Sequence, residues 1–335
     1  MKPIRRPQRA ALLLALACIA GCNSTPDEQD PKELLAMHRE FALRYYDENE
    51  LDRAEQQVDM GLEIEPRDEK LRLMKGWIRQ RRGTAADVFA AEEIFRGLLP
   101  SKDYRVLLGL GEALERKGVL YWESASAVEG GKRFTKASDP QARAKELRGD
   151  AQTCWRESLE HYEKALERKP GELQAINGMQ RVYALRGEKE KALRWSQELL
   201  DKSAAEAEFW TRQLERPDLS ADEEARLRAL LAGSEKLQIE THLQASTLLA
   251  GLDRPAEALE HLDRVLELDP EQAEVHSRRA QLLHRLGRIE EAIASLENYL
   301  RFSEGGFDHP DVARAMDLLA RWKGELDAQA SDGAN

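Results

Sequence analysis

Three cysteines in 335 residues, at positions 18, 22 and 154, are too few to staple a fold, so an apolar core has to carry it. Basic residues are scarce relative to acidic ones, giving a formal net charge of −11. No block rich in lysine or arginine follows Arg9, which argues against nucleic acid as a partner. The longest apolar run, Ala10 to Ala20, falls well short of the ~20 residues that a membrane-crossing helix needs. There is no HExxH, no Cys/His cluster at zinc spacing, no GxSxG elbow and no phosphate loop. The chain is therefore read as a non-enzyme without metal or cofactor, and no small-molecule substrate is evident.

What is present begins at the N-terminus. Lys2, Arg5, Arg6 and Arg9 precede the apolar run with no acid before Asp27, the arrangement of an export signal. The pair Arg5-Arg6 lacks the apolar residues of a twin-arginine signal, since Pro7, Gln8 and Arg9 follow, so the general secretion route is expected. Ile19, Ala20, Gly21 and Cys22 resemble a bacterial lipobox. The resemblance implies that residues 1–21 are removed and that Cys22 is acylated, because several acyl chains hold a protein to a membrane where one barely does. Without its four signal cations the chain carries 47 basic and 62 acidic residues, a net charge of −15 that anionic headgroups would repel. Lipid would have to hold it there. The acidic, proline-bearing stretch 22–31 is expected to be a solvated tether.

Internal repetition sets the fold. Ser158–Pro170, "SLEHYEKALERKP", and Ala258–Pro270, "ALEHLDRVLELDP", share a small residue, a bulky one four later, an apolar or small one seven later and proline at the end; Ala54–Pro66 repeats the spacing. The equivalent small residues are Ala54, Ala91, Ser158, Ala192, Ala225, Ala258 and Ala292, and from Ser158 they recur every 33 or 34 residues. These segments resemble the second helix of the tetratricopeptide repeat. The resemblance implies an all-α, right-handed solenoid of about seven helical hairpins over 32–306. Gly187 and Gly287 are placed to end first helices, with Gly118 displaced from that role by an insertion, and Gly111 and Ala280 mark close approaches. Two units fit less well. Around Ala91, Lys75 and Arg79 fall on packing positions if Gly83 marks the turn. Around Ala225 the pattern is weak, though Ser220 and Glu223 have capping-box spacing. Val312, Met316, Leu319 and Trp322 outline a capping helix over 307–327, and 328–335 is expected to be a frayed, disordered tail.

Histidines 38, 242 and 276 recur at one position of the first helices and are read as packing residues, as are Cys154 and most tryptophans. Binding is then the remaining function, and the repeat family places it on the concave face of the first helices. There the resemblance implies Arg39, Leu43 and Tyr46; Asn177 and Arg181; Leu243 and Thr247; and Ser277, Gln281 and His284 as groove residues for an extended peptide. The family's carboxylate clamp is not carried over, because Leu43 and Arg181 stand where it needs asparagine. An insertion at 119–150 is the second candidate, as a protruding hairpin with Tyr121 and Trp122 on one arm and Lys132, Arg133 and Phe134 beyond a tip at Gly130-Gly131. The expectation is a lipid-anchored scaffold or adaptor in a bacterial cell envelope, with envelope proteins as partners in assembling outer-membrane, secretin or pilus complexes. The alternative is a regulatory or adaptor subunit of an envelope protease or other enzyme, or an enzyme whose site goes unrecognised. Asn23 after the cysteine points to the outer membrane, facing the periplasm. Cys22→Ser should abolish labelling by fatty-acid probes and release the chain from the membrane fraction; unchanged retention would refute the anchor.

Overall fold

The computed structural model describes residues 30–131, 139–306 and 309–332, with side chains to 329. It is 83% helix, with no strand among the described residues. Helix α1 (Pro31–Asp47) pairs with α2 (Leu51–Ile64), α3 (Glu69–Arg82) with α4 (Ala85–Arg96), and α5 (Tyr104–Glu129) with α6 (Pro140–Arg168). Then α7 (Leu173–Leu185) pairs with α8 (Lys189–Leu214), α9 (Ala221–Ala250) with α10 (Pro255–Leu268), and α11 (Ala273–Arg285) with α12 (Ile289–Phe302); α13 (Pro310–Asp332) packs on α12. Cys22, the tether as far as Gln29, and Lys132, Arg133 and Phe134 lie outside the described residues.

Local chemistry accounts for the helix ends. Asp30 and Asp139 accept backbone N–H groups at the starts of α1 and α6, each with proline in the first turn. Ser220 and Glu223 form the expected capping box on α9. Gly83, Gly187 and Gly287 have φ of 69°, 76° and 75°, a left-handed conformation that side chains disfavour, and they turn α3, α7 and α11 back toward their partners. Gly83 thus marks the turn, and Lys75 and Arg79 are accommodated by charge. Lys75 pairs with Asp59 at 2.7 Å, and Arg79 with Asp87 at 2.9 Å and with Glu55. Gly76 provides the close approach there, against the ring of Phe95.

Among the described residues six helix pairs stand where the period counts about seven. Between Leu200 and Leu214 there is neither glycine nor proline, so α8 runs to 26 residues through the place where another first helix was expected. The chain reverses only around Pro217, and α9 then runs for 30 residues, with Ala225 exposed on it. Gly118 is not a turn either: it lies inside α5, pressed by the indole of Trp155. The returning arm of the inserted hairpin belongs to α6, which starts at Pro140 and is 29 residues or ~44 Å long at 1.5 Å per residue. Its outer part packs Ala144 and Leu147 against Ala125 and Val128 of α5, with Tyr121 alongside.

At the far end Val312, Ala315 and Trp322 of α13 are buried, Ala315 and Trp322 against the α11–α12 core. Helix α13 continues to Asp332, so residues 328–332 are helical where a frayed tail was expected. His284 stacks on Trp322 with centroids 4.5 Å apart, and its Nε2 meets a Glu325 carboxylate oxygen at 2.9 Å. Trp322→Ala should cost about 3 kcal/mol of stability, measured by denaturant unfolding. Cutting the chain after Ser303 should lower it further, and melting like the intact chain would refute the capping role.

Helices α9 and α10 meet through two histidines. The Nδ1 atoms of His242 and His261 are 2.8 Å apart, a distance that needs one ring to donate and the other to accept. Burial and the neighbouring His261 lower the His242 pKa to about 4, and burial lowers that of His261. On α10, Arg264 opposes protonation of His242 while Glu267 favours it, and Glu260 and Glu257 favour that of His261; Asp201 of α8 lines the same recess. Below pH ~6.5 the unfolded chain takes up protons that the folded pair refuses, so stability falls as pH drops toward 4. Stability should therefore fall between pH 7 and 4.5, by less than the full shift implies because solvent reaches both half-buried rings. Urea midpoints should fall over that range and vary less in His242→Phe.

Candidate functional site

A buried clasp fixes the first helices in the middle of the chain. Tyr162 of α6 is wedged between Gly111 of α5 and Gly178 of α7, where a methyl group on either glycine would overlap its ring. Its hydroxyl donates to Glu115 at 2.7 Å. The same carboxylate accepts Nε and Nη2 of Arg181 at 2.6 and 2.8 Å, a bidentate pair joining α5 to α7. Burial alone would lower the pKa of Arg181, but its bonds and charge interaction with Glu115 outweigh that and raise it. Burial also raises the pKa of Tyr162 and, one turn from the clasp, that of Glu112, against the pull of Arg116.

Beside this clasp lies a groove of about 730 Å³ between α5, α7, α9 and α11. Val119, Ala184, Leu185, Leu243 and Leu248 give it an apolar lining; Gln180, Arg181, Glu240, Gln244, Thr247 and Arg278 add polar groups. Gln180 is 1% exposed, and its side-chain oxygen has no hydrogen-bond partner among the described residues. Leu185 is 39% exposed, so the lining is open to a ligand. The arrangement can hold an extended segment, placing its apolar side chains on the leucines.

Of the groove residues expected from sequence, the structure brings together Arg181, Leu243 and Thr247. Asn177 is half-buried one turn earlier on α7 and does not line the groove. Arg39, Leu43 and Tyr46 sit apart on α1. Arg39 pairs with Asp68 at the start of α3, the Tyr46 ring lies 3.8 Å from the Arg81 guanidinium carbon, and Leu43 is exposed. On α11, Ser277 and Gln281 do not line the groove, and His284 is engaged by α13. On the insertion, Tyr121 packs edge-on against Phe89, while Trp122 rests on Trp155 beneath the Arg148 guanidinium. The regular repeat offers these aromatics no place, but the long hairpin does.

Sequence reasoning passed over Gln180, although a signal was there. It occupies on α7 the position that Gly111 holds on α5 and Ala280 on α11, so a polar side chain stands where its equivalents are small. Val119, Leu185 and Leu248 gave no such signal, because only the spacing of α7 and α9 turns them toward one opening. Cys154 is buried, which raises its thiol pKa to about 11, the opposite of what a nucleophile needs. Among the described residues no group of three His, Cys, Asp or Glu side chains is placed to hold a metal ion, and no helix is long and apolar enough to cross a membrane.

No curated protein sequence matches the chain. A family model, "Tetratricopeptide repeat", matches residues 249–321. Among solved structures, a thermophilic tetratricopeptide-repeat protein of Thermus thermophilus aligns with a TM-score of 0.45 at 18% identity, over 76% of this chain and 98% of that one. A tetratricopeptide repeat protein from Parabacteroides merdae aligns at 0.38 and 14% identity, over 86% and 99%. Pseudomonas aeruginosa pilF aligns at 0.34 and 13%, over 90% and 94%. No partner or pathway follows from similarities at this level. Residues 249–321, from the end of α9 into α13, thus match the tetratricopeptide-repeat model within an all-helical array of paired helices.

Proposed function

We propose that this chain is a lipid-anchored adaptor of a bacterial cell envelope, held to the membrane through Cys22, that captures an extended segment of a partner protein in the groove between α5, α7, α9 and α11. The observation that carries the binding site is the groove itself: an open apolar lining with the fixed cation of Arg181 at its wall. The anchor rests on the sequence around Cys22. The inserted hairpin is the weaker docking candidate, since its aromatic residues are engaged by Phe89, Trp155 and Arg148. A scaffold role is favoured over catalysis by the absence of a recognised nucleophile or metal motif in the sequence and by the family match.

A photo-crosslinking amino acid at Leu185 or Thr247, in cells carrying the full chain, should give a discrete protein adduct, and the same group at Lys202 on α8 should not. Leu185→Glu in combination with the probe at Thr247 should reduce that adduct by about tenfold, since a charge placed among apolar contacts is costly to dehydrate. Circular dichroism should be unchanged, because Leu185 is exposed. Adducts of equal strength from Lys202, or adducts indifferent to Leu185→Glu, would remove the groove as the binding site.

A further inference from the structure

One contact between paired helices occurs twice with different chemistry. His38 and His242 hold the same place in their repeats, equally far ahead of Ala54 and Ala258, and each ring faces the side chain 19 positions further on. His38 Nδ1 meets the side-chain oxygen of Gln57 at 2.8 Å, so a neutral amide is enough to satisfy an imidazole at this place. His242 meets a second imidazole instead, with its Nδ1 2.8 Å from that of His261, ring centroids 5.0 Å apart and planes at 51°. Both rings are half-buried in the wall of a recess of about 580 Å³ between α8, α9 and α10. Four carboxylates line it. Asp263 and Glu267 are paired with Arg279 and Arg264, each at 2.6 Å. Asp201, which accepts the Gln197 amide, and Glu260 have no cation partner among the described residues.

We propose that His242 and His261 form a two-histidine site for a divalent transition-metal ion such as zinc, bound through both Nδ1 atoms in the recess between α8, α9 and α10. Two nitrogens held at ~2.0–2.1 Å by one tetrahedral ion lie ~3.3 Å apart, so the rings need to part by only ~0.5 Å. The ion takes the place of the shared proton. Each neutral ring can carry its one proton on Nε2, so a tautomer shift in the donating ring presents both Nδ1 lone pairs without net loss of a proton. At pH 7 both rings are neutral, which is the ligating form. No third His, Cys, Asp or Glu is in place among the described residues, so water completes the coordination shell. The exposed carboxylates of Asp201 and Glu260 can accept hydrogen bonds from such waters and offset the charge of the ion. Imidazole nitrogen favours zinc, copper(II) and nickel(II) over magnesium and calcium, which take oxygen ligands.

The test is isothermal titration of Zn(II) into the full chain in detergent at neutral pH. One equivalent should bind, His242→Phe and His261→Phe should each weaken it at least tenfold, and a large excess of Mg(II) should not displace it. Zn(II) should also raise the melting temperature of the wild type and not of either variant, since the ion binds only where the fold brings the two rings together. Electron paramagnetic resonance of the wild type with one equivalent of Cu(II) should show two imidazole nitrogens on the metal, a reading that requires no variant to fold. Absence of saturable Zn(II) binding, binding of wild-type strength in both variants, or a Cu(II) spectrum with fewer than two imidazole nitrogens would each overturn the proposal.

Discussion

The middle of this solenoid depends on one ring. Tyr162 fills the space between α5 and α7 because both neighbours present glycine, Gly111 and Gly178, where any side chain would collide with it. Close packing of this kind is unforgiving, since adding a methylene to a filled core typically costs about 1–3 kcal/mol. A second ring repeats the device one step outward. Trp155 lies on Gly118 and donates its indole N–H to the carbonyl of Glu115 at 3.2 Å. Glycine in a helix interior weakens the helix by about 1 kcal/mol relative to alanine, so these residues are better explained by the rings they admit than by helix propensity.

From that clasp follows the electrostatics of the groove. The carboxylate of Glu115 is held by the Tyr162 hydroxyl on one side and Arg181 on the other, which leaves Arg181 compensated and immobile at the groove wall. It therefore does not act as a free cation for an acidic ligand. Arg278 on α11 is the exposed basic residue in the lining, while Glu240 supplies the opposite sign. The groove thus selects chiefly by shape and apolar contact. Gln180, 1% exposed, stiffens the groove wall rather than presenting a polar group to a ligand.

The repeats were legible in sequence because their physics is local. A small residue, a bulky one four later and another seven later share a helix face, and Ala258, Leu262 and Val265 are all buried as that spacing requires. Turn glycines at 187 and 287 were equally readable, since a left-handed φ is a property of one residue, whereas Gly83 was readable as a turn only if charged Lys75 and Arg79 could sit at packing positions. Where the reading departs from the structure, the deciding factor is long-range. A period of 33 or 34 residues is kept through Ala225 although no hairpin forms there, because the added lengths of α8 and α9 together take up the residues of an ordinary unit. Periodicity records length and face, and it is silent on whether a helix pauses midway. Likewise Arg181, Leu243 and Thr247 could be assigned to the concave face by position, but that Arg39 and His284 are engaged by Asp68 and Glu325 depends on neighbours far along the chain.

The two long hairpins share a further feature, seen only when burial and composition are set together. Gly149 on α6 and Gly233 on α9 are both interior helical residues with open space around them, so neither is needed for a close approach. Gly233 directly precedes Ser234, the first buried residue of α9. Gly149 lies between Leu147 of the outer hairpin core and Ala151 of the main core. Each glycine thus stands where an outer arm joins the packed solenoid, and each lowers local helix stability without any packing return. In α6 the arm's own core spans the weak point. In α9 no residue before Gly233 is fully buried, so bending there is opposed by backbone hydrogen bonds and a half-buried seam with α8 rather than by a core, and the groove residues begin only seven positions later.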